Sequence, residues 1–407
     1  MSPPAAKLMS EDEALSQLLA HARAIGDIEH VPIETALGRV LAAAQTSPID
    51  VPSSDNSAMD GYAIRHRDLT AIPAPLPVSQ RIAAGATGTP LAASTAARIF
   101  TGAAIPPGAD TVVMQEHCTR DGDTVTINKP VNAGQNIRRA GEDIKAGTTI
   151  LSAGIRLAPQ HLGLAASVGC ATQPVLRRLR VALLITGDEL ITPGQPLSPG
   201  KIYDSNRYVL AGLLRAWGFD VIDPGIVPDS FDAVCAALRD AAANADVIIS
   251  SGGVSVGEED HVRNAIEAIG TLQLWRIAIK PGKPLAFGRI NETPVIGLPG
   301  NPVSVFVTGC LYARPYLLRC QGVTDVLPRF LSVRAAFKRE RPDSRREYLR
   351  ARLTGEGTSM VAEIYPHQGS GVLSSTTWAD GFVRVPENQT VTEGQMVDYV
   401  PFSTLVQ

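Results

Sequence analysis

Between Arg180 and Cys320 the chain alternates short apolar runs with amphipathic segments of helical length, and no other pattern restricts the possible folds as much. VALLIT precedes SNRYVLAGLLRAWG, in which Val209, Leu210, Leu213, Leu214 and Trp217 share one helical face and Gly218 closes the end. DVID, SFDAVCAALRDAAAN, DVIIS, HVRNAIEAIG, a hairpin-like pair WRIAI and LAFGRI, PVIGL and PVSVFVTGCLYA continue the alternation. Parallel strands joined by helices predict a doubly wound α/β sheet, whose ligands bind beyond the strand carboxyl ends.

At roughly one domain per 150 residues, the 407-residue chain holds two to four domains. Residues 179–327 are expected to be the α/β unit. Ser10-Glu11-Asp12-Glu13 reads as a capping box opening a helix with Leu15, Leu18, Leu19 and Ala22 on one face. Pro159 opens a second helix, PQHLGLAAS, closed by Gly169. Residues 7–45 and 146–178 are therefore expected to form one helical linker unit. Between them, 46–145 carries short β-type runs (RIAAG, ARIF, DTVVM, TVTI) and reads as an inserted β-domain. After Pro328 the runs YLRARL, MVAEIY, FVRVP and MVDYV predict a small β-barrel or sandwich over 328–407. The fold class expected is a multidomain α/β protein: a central doubly wound domain, a mostly-β insert, a helical linker and a C-terminal β-barrel.

Charge and composition then narrow the function. The 37 Lys+Arg against 40 Asp+Glu leave a net charge of −3, which disfavours non-specific binding to nucleic acid. No run of about 18 apolar residues is present, so no membrane span is expected. Five scattered cysteines without a C-x-x-C pair argue against a disulfide framework or a structural zinc site and favour the cytoplasm. A small-molecule enzyme is the class that remains.

Its chemistry is expected in three turns that follow strands: Thr186-Gly187-Asp188-Glu189, Ser250-Ser251-Gly252-Gly253 and Leu298-Pro299-Gly300-Asn301-Pro302. The second and third open helices whose N-terminal amides can hold an anion. Gly252 and Gly257 have P-loop spacing, but Glu258 and Glu259 stand where Lys and Ser/Thr must be, so a Walker A loop is excluded. Gly253-Val254-Ser255-Val256-Gly257 fits a hydrolase nucleophile elbow, yet three carboxylates follow at once and few histidines remain as bases. Each carboxylate of the rim could be a simple helix cap. Glu189, Asp229 and Asp260, however, approach the ends of different strands, as a hard-oxygen site for Mg²⁺ on a phosphate requires. Ile279-Lys280-Pro281-Gly282-Lys283-Pro284 sets two ammonium groups opposite them on a proline-stiffened loop.

Ser57-Ala58-Met59-Asp60-Gly61-Tyr62-Ala63, Thr101-Gly102-Ala103, Pro106-Pro107-Gly108-Ala109-Asp110, Gly141-Glu142-Asp143, TGDEL, YDSN, SSGGVSVGEEDH, IKPGKP and GLPGNPVS occur in that order. In this the chain resembles the molybdopterin molybdenumtransferases, the MoeA and gephyrin E-domain family. The resemblance runs from about residue 10 to 405 and is most specific over 50–305. It implies an enzyme that binds adenylylated molybdopterin, hydrolyses its phosphoanhydride with Mg²⁺, inserts molybdate into the dithiolene and releases AMP.

On the same ground Glu189, Asp229 and Asp260 would hold Mg²⁺ and the phosphates beside Gly252, Gly253 and Ser255. Asp60, Thr101 and Asp143 would join Glu189 as catalytic residues from the insert of a second subunit, implying a homodimer. Lys280, Lys283, Pro299, Pro302 and Ser304 would bind substrate, with Arg350 and Ser370 added from the C-terminal domain. Molybdate, a tetrahedral dianion, needs several fixed donors and no carboxylate close by. A molybdopterin adenylyltransferase and molybdoenzyme maturation proteins are the partners implied. Two other classes stay open: a molybdopterin-binding scaffold, since gephyrin presents this fold to peptides, and adenylyl transfer to molybdopterin.

Overall fold

The computed structural model describes residues 8–252 and 261–406. Its central sheet has the order Asp220–Ile222, Arg180–Thr186, Val247–Ser251, Thr293–Leu298, Pro284–Ile290, Thr271–Arg276, with Ile226–Val227 also against Arg180–Thr186. The first four strands are parallel and the last two antiparallel. Leu183, Ile249 and Ile296 fill the apolar cluster on one face; their neighbours Ala182, Leu184, Ile248 and Val295 fill the cluster on the other. Helices Asn206–Ala216 and Pro302–Thr308 cover the first face, Phe231–Asn244 and His261–Ile269 the second. Burial on both faces is why these strands are apolar throughout rather than alternating. The two crossovers from Arg180–Thr186 and Asp220–Ile222 leave on opposite sides, which opens a crevice at the strand carboxyl ends.

The expected hairpin forms only in part. Thr271–Arg276 pairs with Pro284–Ile290, but Ile279–Lys280 leaves the sheet and pairs with Arg346 and Glu347 of the C-terminal domain. That domain is a closed five-stranded barrel of Arg346–Thr354, Val361–Ile364, Leu331–Ala335, Met396–Pro401 and Gly381–Val385, the last closing on the first. Closure removes the open edges that a two-sheet sandwich would keep. The barrel therefore sits directly over the loop that leads to Lys283.

The N-terminal helix Glu11–Ala20 is capped by Ser10, whose hydroxyl accepts the Glu13 N–H, as the capping pattern indicates. Its packing reaches beyond Val40 and Leu176 of the linker. Ala14 and Leu18 enter the same apolar cluster as Leu179, Val181, Tyr316 and Leu317, while the buried Glu11 carboxyl accepts the Tyr348 O–H at 2.6 Å. Burial pushes that carboxyl above its ordinary range. One helix thus joins the α/β core to the barrel. Leu18→Ala is expected to destabilise this joint by about 2–5 kcal/mol, measured as a lowered urea midpoint, because a fully buried leucine leaves a cavity.

Ile28–Pro32 pairs antiparallel with Thr172–Leu176, and Gln45–Thr46 with Thr149–Leu151, so the chain leaves for the insert and returns beside itself. The insert is a six-stranded sheet in the order Thr111–Met114, Gly61–Ile64, Ala96–Ile99, Ala74–Ile82, Thr124–Ile127, Cys118–Asp121, with its own apolar clusters.

Candidate active site

A cavity of about 530 Å³ opens where the α/β strands end and the barrel begins. Gly252, Pro299, Gly300 and Ser304 line it from the α/β unit, Lys280 and Lys283 from the connecting loop, and Arg345, Gln368, Gly369 and Ser370 from the barrel. The loop can lie this close because residue 282 has no side chain: a methyl group there would come within 2.6 Å of Thr308 Cγ2. Gly282 also has φ +110°, a conformation that favours glycine.

Lys283 is exposed and makes no ion pair among the described residues. Lys280 differs. Its ammonium lies 2.9 Å from Asp343 Oδ2 and 3.0 Å from Glu347 Oε1; burial alone would lower its pKa, but the two carboxylates outweigh that and raise it. The expectation of a cationic pocket without nearby acids is therefore corrected, because the barrel strand that pairs with Ile279–Lys280 carries Glu347.

Arg350 is the other barrel residue expected to bind substrate. It does not line the cavity but is fully buried beneath its wall, with Nε donating to Ser375 Oγ at 3.0 Å and an η-nitrogen to the Gly369 carbonyl at 3.2 Å. Burial without a carboxylate partner pulls its pKa down to about 10. Arg350 thus braces the loop that presents Ser370, and Arg345 is the barrel guanidinium that reaches the cavity. Ser370 lines the cavity, and its carbonyl accepts the Val303 N–H at 3.0 Å. One amide expected to hold an anion is therefore used to dock the barrel loop onto Pro302–Thr308.

Beside this cavity stands the acidic rim. Asp229 Oδ1 accepts the Thr186 O–H at 2.9 Å. Glu189 folds back on Gly187 so closely that a methyl group at 187 would lie 2.8 Å from Glu189 Oε2. Both carboxylates therefore flank the end of one strand. Gly252 links rim to cavity, since a methyl group there would meet Thr186 O at 3.9 Å. Asp204, a further acid of the rim, is buried and caps a helix by accepting the Arg207 N–H. Gly253, Ser255 and Asp260, like the P-loop and nucleophile-elbow spacings, lie outside the described residues.

In the insert, Asp60 Oδ1 accepts the Thr101 N–H at 2.8 Å and the Thr101 O–H at 2.9 Å, and these donors hold its carboxyl below the usual range. Asp143 is exposed on the same domain. Among the described residues, no hydrogen bond or ion pair joins Asp60, Thr101 or Asp143 to Glu189 or Asp229. Within one chain, each half of the expected catalytic set thus has its own hydrogen-bond partners.

Three family models cover nearly the whole chain: the MoeA N-terminal region (domain I and II) over residues 9–169, the probable molybdopterin binding domain over 182–319, and the MoeA C-terminal region (domain IV) over 332–402. The molybdopterin molybdenumtransferase of Haemophilus influenzae is 37% identical over 403 residues, 98% of this chain and 100% of that protein. The chain belongs to the MoeA family.

Molybdopterin molybdenumtransferase 2 of Mycobacterium tuberculosis is 38% identical over 88% of this chain and 91% of its own length. Among solved structures, the molybdopterin biosynthesis MoeA protein of Pyrococcus horikoshii superimposes with a TM-score of 0.84 at 30% identity, covering 97% of this chain and all of that one. The MoeA fold here also reveals a residue that sequence reading passed over. Asn206 Nδ2 donates to Ser251 Oγ at 3.0 Å and to the Gly300 carbonyl at 2.7 Å, tying two rim loops together. The YDSN motif signalled its presence, but only the fold brings together partners 45 and 94 residues away.

Proposed function

We propose that this MoeA-family chain inserts molybdate into adenylylated molybdopterin, with Mg²⁺-dependent hydrolysis of the phosphoanhydride and release of AMP. The observation that carries the reading is adjacency: a cavity lined by Lys283, Ser304 and Ser370 shares the Gly252 wall with the Glu189 and Asp229 carboxylates. The first set suits a tetrahedral oxyanion. The second suits a hard divalent cation, because Mg²⁺ is usually held by one or two carboxylates together with substrate phosphates. Glu189 and Asp229 would hold it. Bound there, Mg²⁺ would neutralise charge on the phosphoanhydride oxygens. Relatives at 37% and 38% identity carry the name of this transferase.

The chain's own residues then divide the work. Lys283, Ser304 and Ser370 orient molybdate, while Pro299 and Pro302 stiffen the backbone around it. Asp60, kept ionised by the two Thr101 donors, accepts hydrogen bonds and so orients a water molecule for attack on phosphorus. Because Asp60 and Thr101 belong to an insert with its own apolar clusters and share no hydrogen bond with Glu189 or Asp229 among the described residues, we place them in the cleft of a second subunit. Exposed Leu197, Ile202, Tyr203 and Tyr208 near the rim support a homodimer. Substrate would come from a molybdopterin adenylyltransferase, and product would go to molybdoenzyme maturation proteins.

No helix among the described residues is long and apolar enough to cross a membrane. All five cysteines are unpaired, which supports a cytoplasmic setting. Incubation of the purified protein with adenylylated molybdopterin, Mg²⁺ and molybdate is expected to release AMP in a molybdate-dependent manner. Consumption of ATP and free molybdopterin instead would establish adenylyl transfer. A scaffold would bind the pterin and release nothing.

A further inference from the structure

The cavity wall contains three cations, and two of them are already answered by one acid. Asp343 Oδ2 lies 2.9 Å from Lys280 Nζ. The same carboxylate receives Arg345 Nε at 3.0 Å, an Arg345 η-nitrogen at 3.1 Å and the Arg345 backbone N–H at 3.0 Å. Lys280 and Arg345 line the cavity, whereas Asp343 does not. Glu347 also touches Lys280 through Oε1, but that carboxylate is shared with Arg339, which donates to Oε1 at 2.6 Å and to Oε2 at 2.9 Å. Asp343 is therefore the acid that pairs with both Lys280 and Arg345, leaving Lys283 as the cation of this wall without an ion pair among the described residues.

We propose that Asp343 is an internal counter-ion that withholds Lys280 and Arg345 from oxyanions and so sets both affinity and charge selectivity at this cavity. The proposal rests on the cavity being the oxyanion site. A dianion entering the pocket competes with the carboxylate for the same N–H donors and feels its negative charge a few ångströms away. A monoanion gains about half as much from the cations and competes poorly. The counter-ion weakens binding overall and blunts the preference for dianions, because its carboxylate repels two charges on a dianion and one on a monoanion. The contacts agree, since hydrogen bonds from Arg345 and Lys280 outweigh the opposing effect of burial and hold the Asp343 carboxyl far below the usual range.

A purely positioning role predicts the opposite sign. If Asp343 only holds Lys280 and Arg345 in place for the ligand, removing its charge loosens them and weakens binding. Isothermal titration of molybdate, sulfate and perchlorate into the full-length wild type, Asp343→Asn, Asp343→Ala and Asp343→Glu separates the two. Both neutral variants are expected to bind molybdate and sulfate at least about tenfold more tightly and perchlorate only about threefold more tightly, so that the gap between them widens, while Asp343→Glu stays near wild type. In turnover, KM for molybdate falls in Asp343→Asn with little change in kcat. Unchanged or weaker dianion binding in both neutral variants overturns the proposal. Tighter sulfate binding in Asp343→Asn without measurable molybdate binding keeps the counter-ion role but removes the molybdate reading. No anion binding by any of the proteins removes both.

Discussion

Replacing Glu189 by alanine is expected to lower molybdate-dependent AMP release roughly a hundred- to a thousandfold, the range seen when one preorganised charge-stabilising group is removed. The carboxylate is exposed, folded back on Gly187 and remote from the apolar clusters, so the variant has no reason to unfold. If Glu189 helps to hold Mg²⁺, the remaining activity should also require a higher Mg²⁺ concentration for half-maximal rate, because one of two carboxylates on the rim is gone. Molybdate binding, which depends on the neighbouring cavity, should persist. Asp232→Ala, an exposed acid in the first turn of Phe231–Asn244, serves as the charge control and is expected to keep the full rate. A Glu189→Ala protein with unimpaired AMP release would remove the rim from the chemistry.

The legible parts of the molecule were those whose physics is local. VALLIT and VIIS are readable as central strands because every residue in them is buried, and the turns that follow lie at the strand ends by necessity. The Ser10 cap is readable because its bond spans three residues. What the sequence concealed are choices among distant partners. An apolar stripe on Glu11–Ala20 does not say which surface receives it, and Glu11 meets Tyr348 across 337 residues.

Arg350 shows the same limit on a smaller scale. Leu349 and Ala351 point into the barrel core, so Arg350 must point outward, and only the fold reveals that the loop around Gly369 covers that outer position. Arg345, five residues earlier, stands just before the strand begins and reaches the cavity instead. Counterions obey the same rule: Asp343 and Glu347 become neighbours of Lys280 only when Ile279–Lys280 joins the barrel sheet.

Mixing two inactive variants is expected to restore about a quarter of the wild-type rate. Asp60→Asn removes the insert's carboxylate and Asp229→Ala removes one from the rim, so each homodimer carries a lesion in both of its sites. In a mixed dimer whose sites are built in trans, the sound insert of the Asp229→Ala chain meets the sound rim of the Asp60→Asn chain, giving one intact site; the other site carries both lesions. Random assortment makes half of the dimers mixed, hence about one site in four is active. Co-expression of the two chains with different affinity tags, followed by tandem purification, isolates the mixed dimer and should double that specific activity. A site completed within one chain gives the opposite result, because every site then carries one lesion and no recovery is possible at any mixing ratio. The insert has its own clusters and strands, so recovery in the mixed dimer would show that a separate module of one chain completes the site of the other.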